Sequence, residues 1–443
     1  MFFLPPRNKS EAAVVVSPYE NLEPRKFWRN GVAEQHPLTV TDLYRKKFAI
    51  AADDRIATAG SCFAQHIANY LRANGFSILD KEPPPPNLDD ATQKSFGFTL
   101  YSARYGNIYT VRQLLQLAED SFSSTIDPDD FWPKDGRVYD AIRPNIEPRG
   151  FESLEEAVAN RKFHLGKVRE MLSEMNVLIF TLGLTEAWVS RKTGRVYPTA
   201  PGTIAGEYDP ALHEFRNFTA AEIREDFEKF LALLKQHNPD VRIILTVSPV
   251  PLTATASDRH VLLATMYSKS VLRAVAGELA DTHANIDYFP SYEIIASPWS
   301  KGFFYESNMR SVNSGGVAAV MRVFFDQHGS ATAHPAENAS VDDTVRAERR
   351  ARWLERRAQQ GEPDKQSEEA DAATGHRARS LKKQARRQHG EKTDKLSEND
   401  AAAAERRARW LERRARRQQE EKTDKQSEED AVCEEVLLEA FAR

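Results

Sequence analysis

Short apolar runs alternate with longer amphipathic segments from about residue 55 to residue 325. The apolar runs occupy residues 55–59, 177–180, 241–247 and 286–289. The run at residues 177–180 is continuously apolar, as is typical of a strand that is buried on both faces of a parallel sheet. The segments between them carry apolar residues at helical spacing. The pattern therefore predicts an α/β fold, a three-layer α/β/α sandwich around a central parallel sheet.

Several helix starts are marked by residues whose side chains accept hydrogen bonds from free backbone N–H groups. Ser153 and Thr219 each precede a glutamate by three residues, which is the spacing of a capping box. Thr110 and Asn313 stand just before apolar residues at helical spacing, and we expect them to cap two further helices. Residues 121–150 are rich in Asp, Pro and Gly and predict a long loop. A loop of that length in a compact domain is typical of a lid or a binding segment.

Composition divides the chain into three parts. Residues 1–45 contain prolines at positions 5, 6, 18, 24 and 37 without sustained periodicity, and they predict an extended leader. Residues 46–330 hold the predicted α/β domain, and residues 331–443 form a charged tail. In the tail, residues 347–358 recur almost verbatim at 404–415. These repeats contain too few apolar residues for a core, so we expect polar helices or disorder.

The formal net charge of -4 at pH 7 hides strong local clustering of both signs. Each basic half-repeat of the tail has acidic neighbours that compensate its charge, so we do not expect the tail to bind nucleic acid. The last apolar turn of the tail, residues 436–441, is a candidate contact for a protein partner.

The cysteine and hydropathy patterns bear on the compartment. Cys62 and Cys433 are the only cysteines, and such a distant pair is not a disulfide framework, which fits a reducing compartment. Residues 1–7 are too short and too rich in proline for the apolar region of a signal peptide. No run approaches the ~18 uninterrupted apolar residues of a membrane-spanning helix. We expect a cytoplasmic protein without a membrane span.

The candidate chemistry begins where the first predicted strand ends. The chain passes there from strand through Gly60 to Ser61 and at once into an amphipathic helix. A hydroxyl at the carboxyl end of a strand, beside helix-start N–H groups, has the placement of a nucleophile. A simple helix cap is the structural alternative for the same serine. Motif residues after the other predicted strands fall on the same edge of the sheet, where such sheets bind ligands, and this favours the nucleophile.

The sequence GSCFA at residues 60–64 matches the signature of the GSCFA family, which resembles SGNH (GDSL-type) esterases and acyltransferases. Further blocks at residues 105–110, 180–188, 246–252 and 288–293 resemble other blocks of that family, in the family's order. The resemblance extends over roughly residues 40 to 327. It implies an SGNH-hydrolase-like fold and an ester hydrolase or O-acyltransferase with a serine nucleophile. The implied substrate is a small-molecule or carbohydrate ester, such as an acylated carbohydrate or a related polar metabolite.

The resemblance also implies which groups stabilise the oxyanion. The N–H of Ser61 is one donor, Gly106 stands at the pattern's glycine, and Asn107 beside it adds an amide. Thr185 replaces the pattern's asparagine, and its hydroxyl is a donor. The structural alternatives are a turn glycine for Gly106 and a helix cap for Thr185.

The general base is missing from its expected place. The SGNH pattern ends in Asp-x-x-His before the last helix, where this chain has NMRS at residues 308–311. The remaining candidates are His66, His164 and His260. His260 is the preferred base because it follows the exit of the third predicted strand, with Asp258 two residues earlier. A surface histidine at a helix start is the structural alternative.

Other kinds of site have less support. Cys62 is a second candidate nucleophile, since a helix start lowers a thiol pKa, but its side chain points about one helical step away from Ser61. No His, Cys or Asp cluster has metal-ligand spacing, and no glycine-rich phosphate motif is present, so neither a metal nor another cofactor is predicted. The loss of Asp-x-x-His leaves open a catalytically silent carbohydrate- or partner-binding module, or a scaffold that acts through its tail.

Overall fold

The computed structural model describes residues 17–329 and 437–438. The strands in chain order are β1 (Ile56–Gly60), β2 (Phe131–Lys134), β3 (Arg137–Asp140), β4 (Val177–Leu182), β5 (Glu186–Ser190), β6 (Val196–Tyr197), β7 (His213–Asn217), β8 (Arg242–Val247) and β9 (Ile286–Tyr288). The α-helices are α1 (Phe63–Ala73), α2 (Asp90–Ser95), α3 (Val111–Ser123), α4 (Leu154–Glu174), α5 (Ala220–His237), α6 (Val261–Thr282), α7 (Ser291–Ala296) and α8 (Ser314–His328).

The centre of the fold is a four-stranded parallel sheet in the order β1-β4-β8-β9. Successive residues of its strands enter two separate hydrophobic cores. On β4, Leu178, Phe180 and Leu182 pack with helices α3 to α6, whereas Val177 and Ile179 pack with α1, α7 and α8. Because strand side chains alternate between faces, both faces of the sheet are covered by helices. The predicted three-layer α/β/α sandwich is confirmed.

The predicted helix starts are also confirmed. Thr110 and Thr219 form complete capping boxes at α3 and α5. Ser153 and Asn313 each accept the backbone N–H of the residue three positions later, at the starts of α4 and α8. These contacts join residues three positions apart, which is why the sequence alone predicts them well.

Two smaller sheets interrupt the parallel pattern. Residues 121–150, predicted as a loop, contain the antiparallel hairpin β2–β3. Its turn is Asp135-Gly136 with φ of 52° and 74°, a two-residue turn whose Asp-Gly sequence is a hairpin signal. Strands β6, β5 and β7 form a second, three-stranded antiparallel sheet directly after β4.

The described part of the predicted leader contains three short helical turns, at Pro24–Lys26, Arg29–Ala33 and Pro37–Thr39. Val40 and Tyr44 follow them and are buried in the core that holds α1 and α8. Residues 1–16 and, apart from 437–438, the tail predictions lie outside the described residues. Within the described ranges, no helix combines the length and apolarity needed to cross a membrane.

Candidate functional site

The site begins at a glycine that ends β1. Gly60 has a φ of 137°, a backbone conformation that residues other than glycine rarely adopt. A Cβ atom placed on Gly60 would lie 2.4 Å from the carbonyl oxygen of Thr181 on β4. The chain then passes through Ser61 and Cys62 into α1. Glycine therefore allows β1 to lie against β4 at the point where the serine leaves the sheet.

The Ser61 hydroxyl is buried and without a hydrogen-bond partner. The residue is 3% exposed, and its Oγ makes no hydrogen bond to any described residue. The N-cap residue of α1 is Cys62, so Ser61 does not cap the helix. A buried hydroxyl without a partner costs roughly 1–3 kcal/mol. The Ser61 hydroxyl is therefore not engaged in a hydrogen bond that holds the described residues together.

Two further segments meet at the exit of β1. The Ile108 N–H donates to the carbonyl oxygen of Gly60 at 2.9 Å. The next carbonyl oxygen, that of Tyr109, accepts the N–H groups of Gly183 (3.2 Å) and Leu184 (2.8 Å). The segment that begins at residue 106 therefore joins the ends of β1 and β4.

Gly183 lies directly against the candidate nucleophile. A Cβ atom placed on Gly183 would lie 3.2 Å from the Cβ of Ser61 and 3.0 Å from the carbonyl oxygen of Tyr109. Both distances are tighter than ordinary van der Waals contact. The turn after β4 approaches Ser61 closely because its first residue has no side chain.

The predicted oxyanion groups lie in these same segments. The Ser61 N–H donates to the carbonyl oxygen of Thr181 over a long 3.4 Å. Gly106 has a φ of 68°, which suits the turn role, and buried Asn107 accepts the Tyr101 hydroxyl at its Oδ1. Thr185 is buried just before β5, where it is not a helix cap, and its Oγ1 has no hydrogen-bond partner among the described residues.

His260 occupies a different setting from that of Ser61. It is the exposed N-cap residue of α6, and its Nδ1 accepts the N–H of Leu262 at 3.1 Å. Asp258 is exposed as well. Because the Ser61 Oγ makes no hydrogen bond within residues 17–329 and 437–438, His260 is not hydrogen-bonded to it. In this structure, His260 therefore has the role of a surface histidine at a helix start, which was the structural alternative to a general base.

Neither of the other two candidate histidines is hydrogen-bonded to the Ser61 hydroxyl. His66 lies on α1, and burial lowers its pKa. His164 is fully buried, and its Nδ1 lies 2.6 Å from the Oε2 of Glu82. Burial and the charge of Arg143 lower the pKa of His164 to about 4. His164 is thus neutral at pH 7 and belongs to an internal charge network.

Sequence reasoning missed a buried lysine at the site. Lys269 on α6 is 1% exposed, and its Nζ donates to the carbonyl oxygen of Gly183 at 2.7 Å. The preceding residue, Ser268, accepts the N–H of Thr185 at 3.0 Å. Lys269 stands between two serines in a helix that also carries Arg273 and Glu278, so the sequence held no local signal that it is buried.

No group of three or more His, Cys, Asp or Glu side chains within residues 17–329 and 437–438 is arranged to hold a metal ion. The arrangement is that of an α/β protein with a buried serine at the carboxyl edge of a parallel sheet. The GSCFA family model matches residues 55–324, and the chain belongs to the GSCFA family.

Comparisons with individual proteins add little. No curated protein sequence matches the chain. Among solved structures, an acetyl xylan esterase (Est2A) from the rumen bacterium Butyrivibrio proteoclasticus is similar, at 13% identity and a TM-score of 0.18. The match covers 55% of this chain and 56% of that one, so the chain spans little more than half of the esterase. A TM-score of this size carries no argument about activity.

Proposed function

We propose that this GSCFA protein is an ester hydrolase or O-acyltransferase that uses Ser61 as its nucleophile. The proposed substrate is an acylated carbohydrate or a related polar metabolite. The single observation that carries the proposal is the buried, unpartnered Ser61 Oγ at the glycine exit of β1. Membership in the family supports a hydrolase-like function.

In the proposed reaction, the Ser61 Oγ loses its proton and forms a bond to the acyl carbon of the ester. The bond from that carbon to the alcohol oxygen then breaks, and the leaving oxygen takes up a proton. Water or an acceptor hydroxyl releases the acyl group from Ser61. The donors proposed for the oxyanion are the N–H groups of Ser61 and Gly106, the Asn107 amide and the Thr185 hydroxyl.

Access and proton transfer set two requirements for this reaction. The Ser61 Oγ is closed to solvent, so a segment over it must move before an ester can reach it. A general base contributes about 10²–10⁴-fold when it lies within hydrogen-bond reach or one water of the proton. His260 remains the proposed base, and it must leave its capping contact with Leu262 to act.

The exposed position of His260 favours a second candidate function. If no general base reaches Ser61, the serine is not activated and the site only binds its ligand. The protein is then a catalytically silent carbohydrate- or partner-binding module. The two functions differ in the reactivity of Ser61, because only an activated serine reacts readily with an electrophilic phosphorus centre.

The test is labelling with a fluorophosphonate probe, followed by mass mapping of the adduct. We expect an adduct on Ser61 in the full-length protein, none in Ser61→Ala, and unchanged labelling in the neighbouring control Cys62→Ala. Ser61→Ala is also expected to lose all turnover of a short-chain ester while unfolding at or above the wild-type temperature, because the removed hydroxyl is buried and makes no hydrogen bond to any described residue. Retained turnover in Ser61→Ala would refute the proposal, and an unlabelled wild type would favour the binding module.

A further inference from the structure

One buried face of α6 is polar where it meets the candidate site. Ser268 and Lys269 are adjacent residues on this face, and both are buried. Ser268 holds the N–H of Thr185, and Lys269 holds the carbonyl oxygen of Gly183. Two consecutive side chains of one helix therefore bind both ends of the turn 183–185, which follows β4.

The lysine is the more informative of the two residues. Lysine is almost never fully buried unless it is paired, because removing an ammonium group from water is costly. Lys269 is 1% exposed, and one of its contacts is the hydrogen bond that its Nζ donates at 2.7 Å to the carbonyl oxygen of Gly183. The burial of Lys269 therefore indicates a role other than packing in the core.

The bound carbonyl belongs to Gly183, where an added side chain would meet Ser61. The Cα of Gly183 faces the Cβ of Ser61, since a Cβ atom built on it would approach within 3.2 Å. The N–H of Gly183 is held by Tyr109, and its carbonyl oxygen is held by Lys269. Gly183 is thus held at its N–H by the segment that precedes α3 and at its carbonyl oxygen by α6.

We propose that Lys269 is a positioning residue, which fixes the turn 183–185 against Ser61 and keeps Thr185 in place for the reaction. This inference rests on the proposed function for its catalytic part. Its structural part, the clamping of the turn by α6, stands on the contacts of Lys269 and Ser268 alone. The proposal assigns no proton transfer to Lys269.

The first measurement is hydrogen exchange of the full-length protein, read at the peptide that contains residues 183–185. Lys269→Met keeps the length of the side chain and removes the ammonium group. We expect exchange of the Gly183, Leu184 and Thr185 amides to rise about tenfold or more, because loss of the bond to Gly183 favours local opening. Lys269→Gln retains an N–H donor without the charge and is expected to fall between Lys269→Met and wild type.

The matched control is one helical turn earlier on the same face. Thr265 is buried, and its Oγ1 accepts the N–H of Leu252, outside the turn 183–185. Thr265→Val removes a buried polar group from α6 without touching the turn. We expect exchange at residues 183–185 to stay within twofold of wild type in this control.

The second measurement is ester turnover by the same proteins. A positioning role predicts that Lys269→Met lowers kcat at least tenfold with KM within about threefold, and that Lys269→Gln recovers part of kcat. Exchange at residues 183–185 within twofold of wild type in Lys269→Met would overturn the clamp, whatever the activity. An unchanged kcat alongside faster exchange would overturn the catalytic part. If the wild type neither turns over esters nor takes up the probe, the proposed function and this catalytic part fail together, and the exchange data still decide the clamp.

Discussion

Replacing Gly60 with alanine tests the geometry on which the whole site depends. The glycine has a φ of 137° and pairs with Thr181 across the β1–β4 ladder. The added Cβ would lie 2.4 Å from the Thr181 carbonyl oxygen and 2.8 Å from both its N and its Cβ. Two of these three atoms are backbone, so no rotation of a side chain can relieve them all.

The expected loss of stability follows from two effects. A non-glycine residue held in a sparsely populated backbone region costs about 1–3 kcal/mol. Forcing an extra carbon into a packed position costs a further ~1–3 kcal/mol. We therefore expect Gly60→Ala to lose about 4 kcal/mol of unfolding free energy, a large part of the 5–15 kcal/mol typical of a domain.

Gly136 supplies a matched control in the β2–β3 turn. Its φ is 74°, and a Cβ atom there would meet nothing within 4 Å. Gly136→Ala therefore carries only the backbone cost of the left-handed region, about 1–2 kcal/mol. The difference between the two variants, about 2 kcal/mol or more, isolates the contact with Thr181.

Urea unfolding of the full-length proteins, followed by fluorescence and circular dichroism, measures both losses. Failure of Gly60→Ala to fold while Gly136→Ala folds normally would agree with the same reasoning. The reasoning is refuted if Gly60→Ala is no less stable than Gly136→Ala. In that case β1 does not need glycine to lie against β4.

Three further predictions concern the rest of the molecule. Asp140→Asn should lower the unfolding free energy by about 3–5 kcal/mol in urea titrations, because the buried Asp140 carboxylate accepts from Arg143 and Arg161 and its loss leaves buried positive charge unpaired. For His164, burial lowers the pKa from 6.5 to about 4, so its contribution to stability is complete above pH 6.5 and is lost as pH falls towards 4. His164→Phe should therefore lose less stability than wild type between pH 7 and pH 4.5, and an identical pH dependence would contradict this. Deletion after Gly329, predicted from the sequence of the tail, should leave the melting transition nearly unchanged, and aggregation or a large fall in melting temperature would show that the tail supports the domain.

The central sheet and the helix caps were predictable because their signals are local. A strand buried on both faces shows as a continuous apolar run, as in residues 177–180, and a capping box needs residues only three positions apart. The β2–β3 hairpin also had a local signal, the dipeptide Asp135-Gly136, and the loop prediction passed over it. Strand β5 was missed because its five residues contain only three consecutive apolar side chains and show no period-two alternation.

The candidate site was only partly predictable because its contacts join distant parts of the chain. The placement of Ser61 follows from a strand, a glycine and a helix that are consecutive in sequence. The contact between Lys269 and Gly183 spans 86 residues, and nothing in the local pattern distinguishes a buried lysine from an exposed one. For His260, the position after β8 in the sequence predicted a place at the carboxyl edge of the sheet beside Ser61. Its side chain instead caps α6.

The buried hydroxyls of Ser61 and Thr185 bear on whether this site is functional at all. Each lacks a hydrogen-bond partner among the described residues, and each such group costs about 1–3 kcal/mol. Alanine in place of Ser61 and valine in place of Thr185 would fill similar volumes without that cost. Residues that lower stability in this way are expected where a ligand or a reaction needs them rather than where packing does. Ser61 follows β1 and Thr185 follows β4, its neighbour in the sheet, and two such hydroxyls at one edge favour a chemical or binding role for this region over a purely structural one.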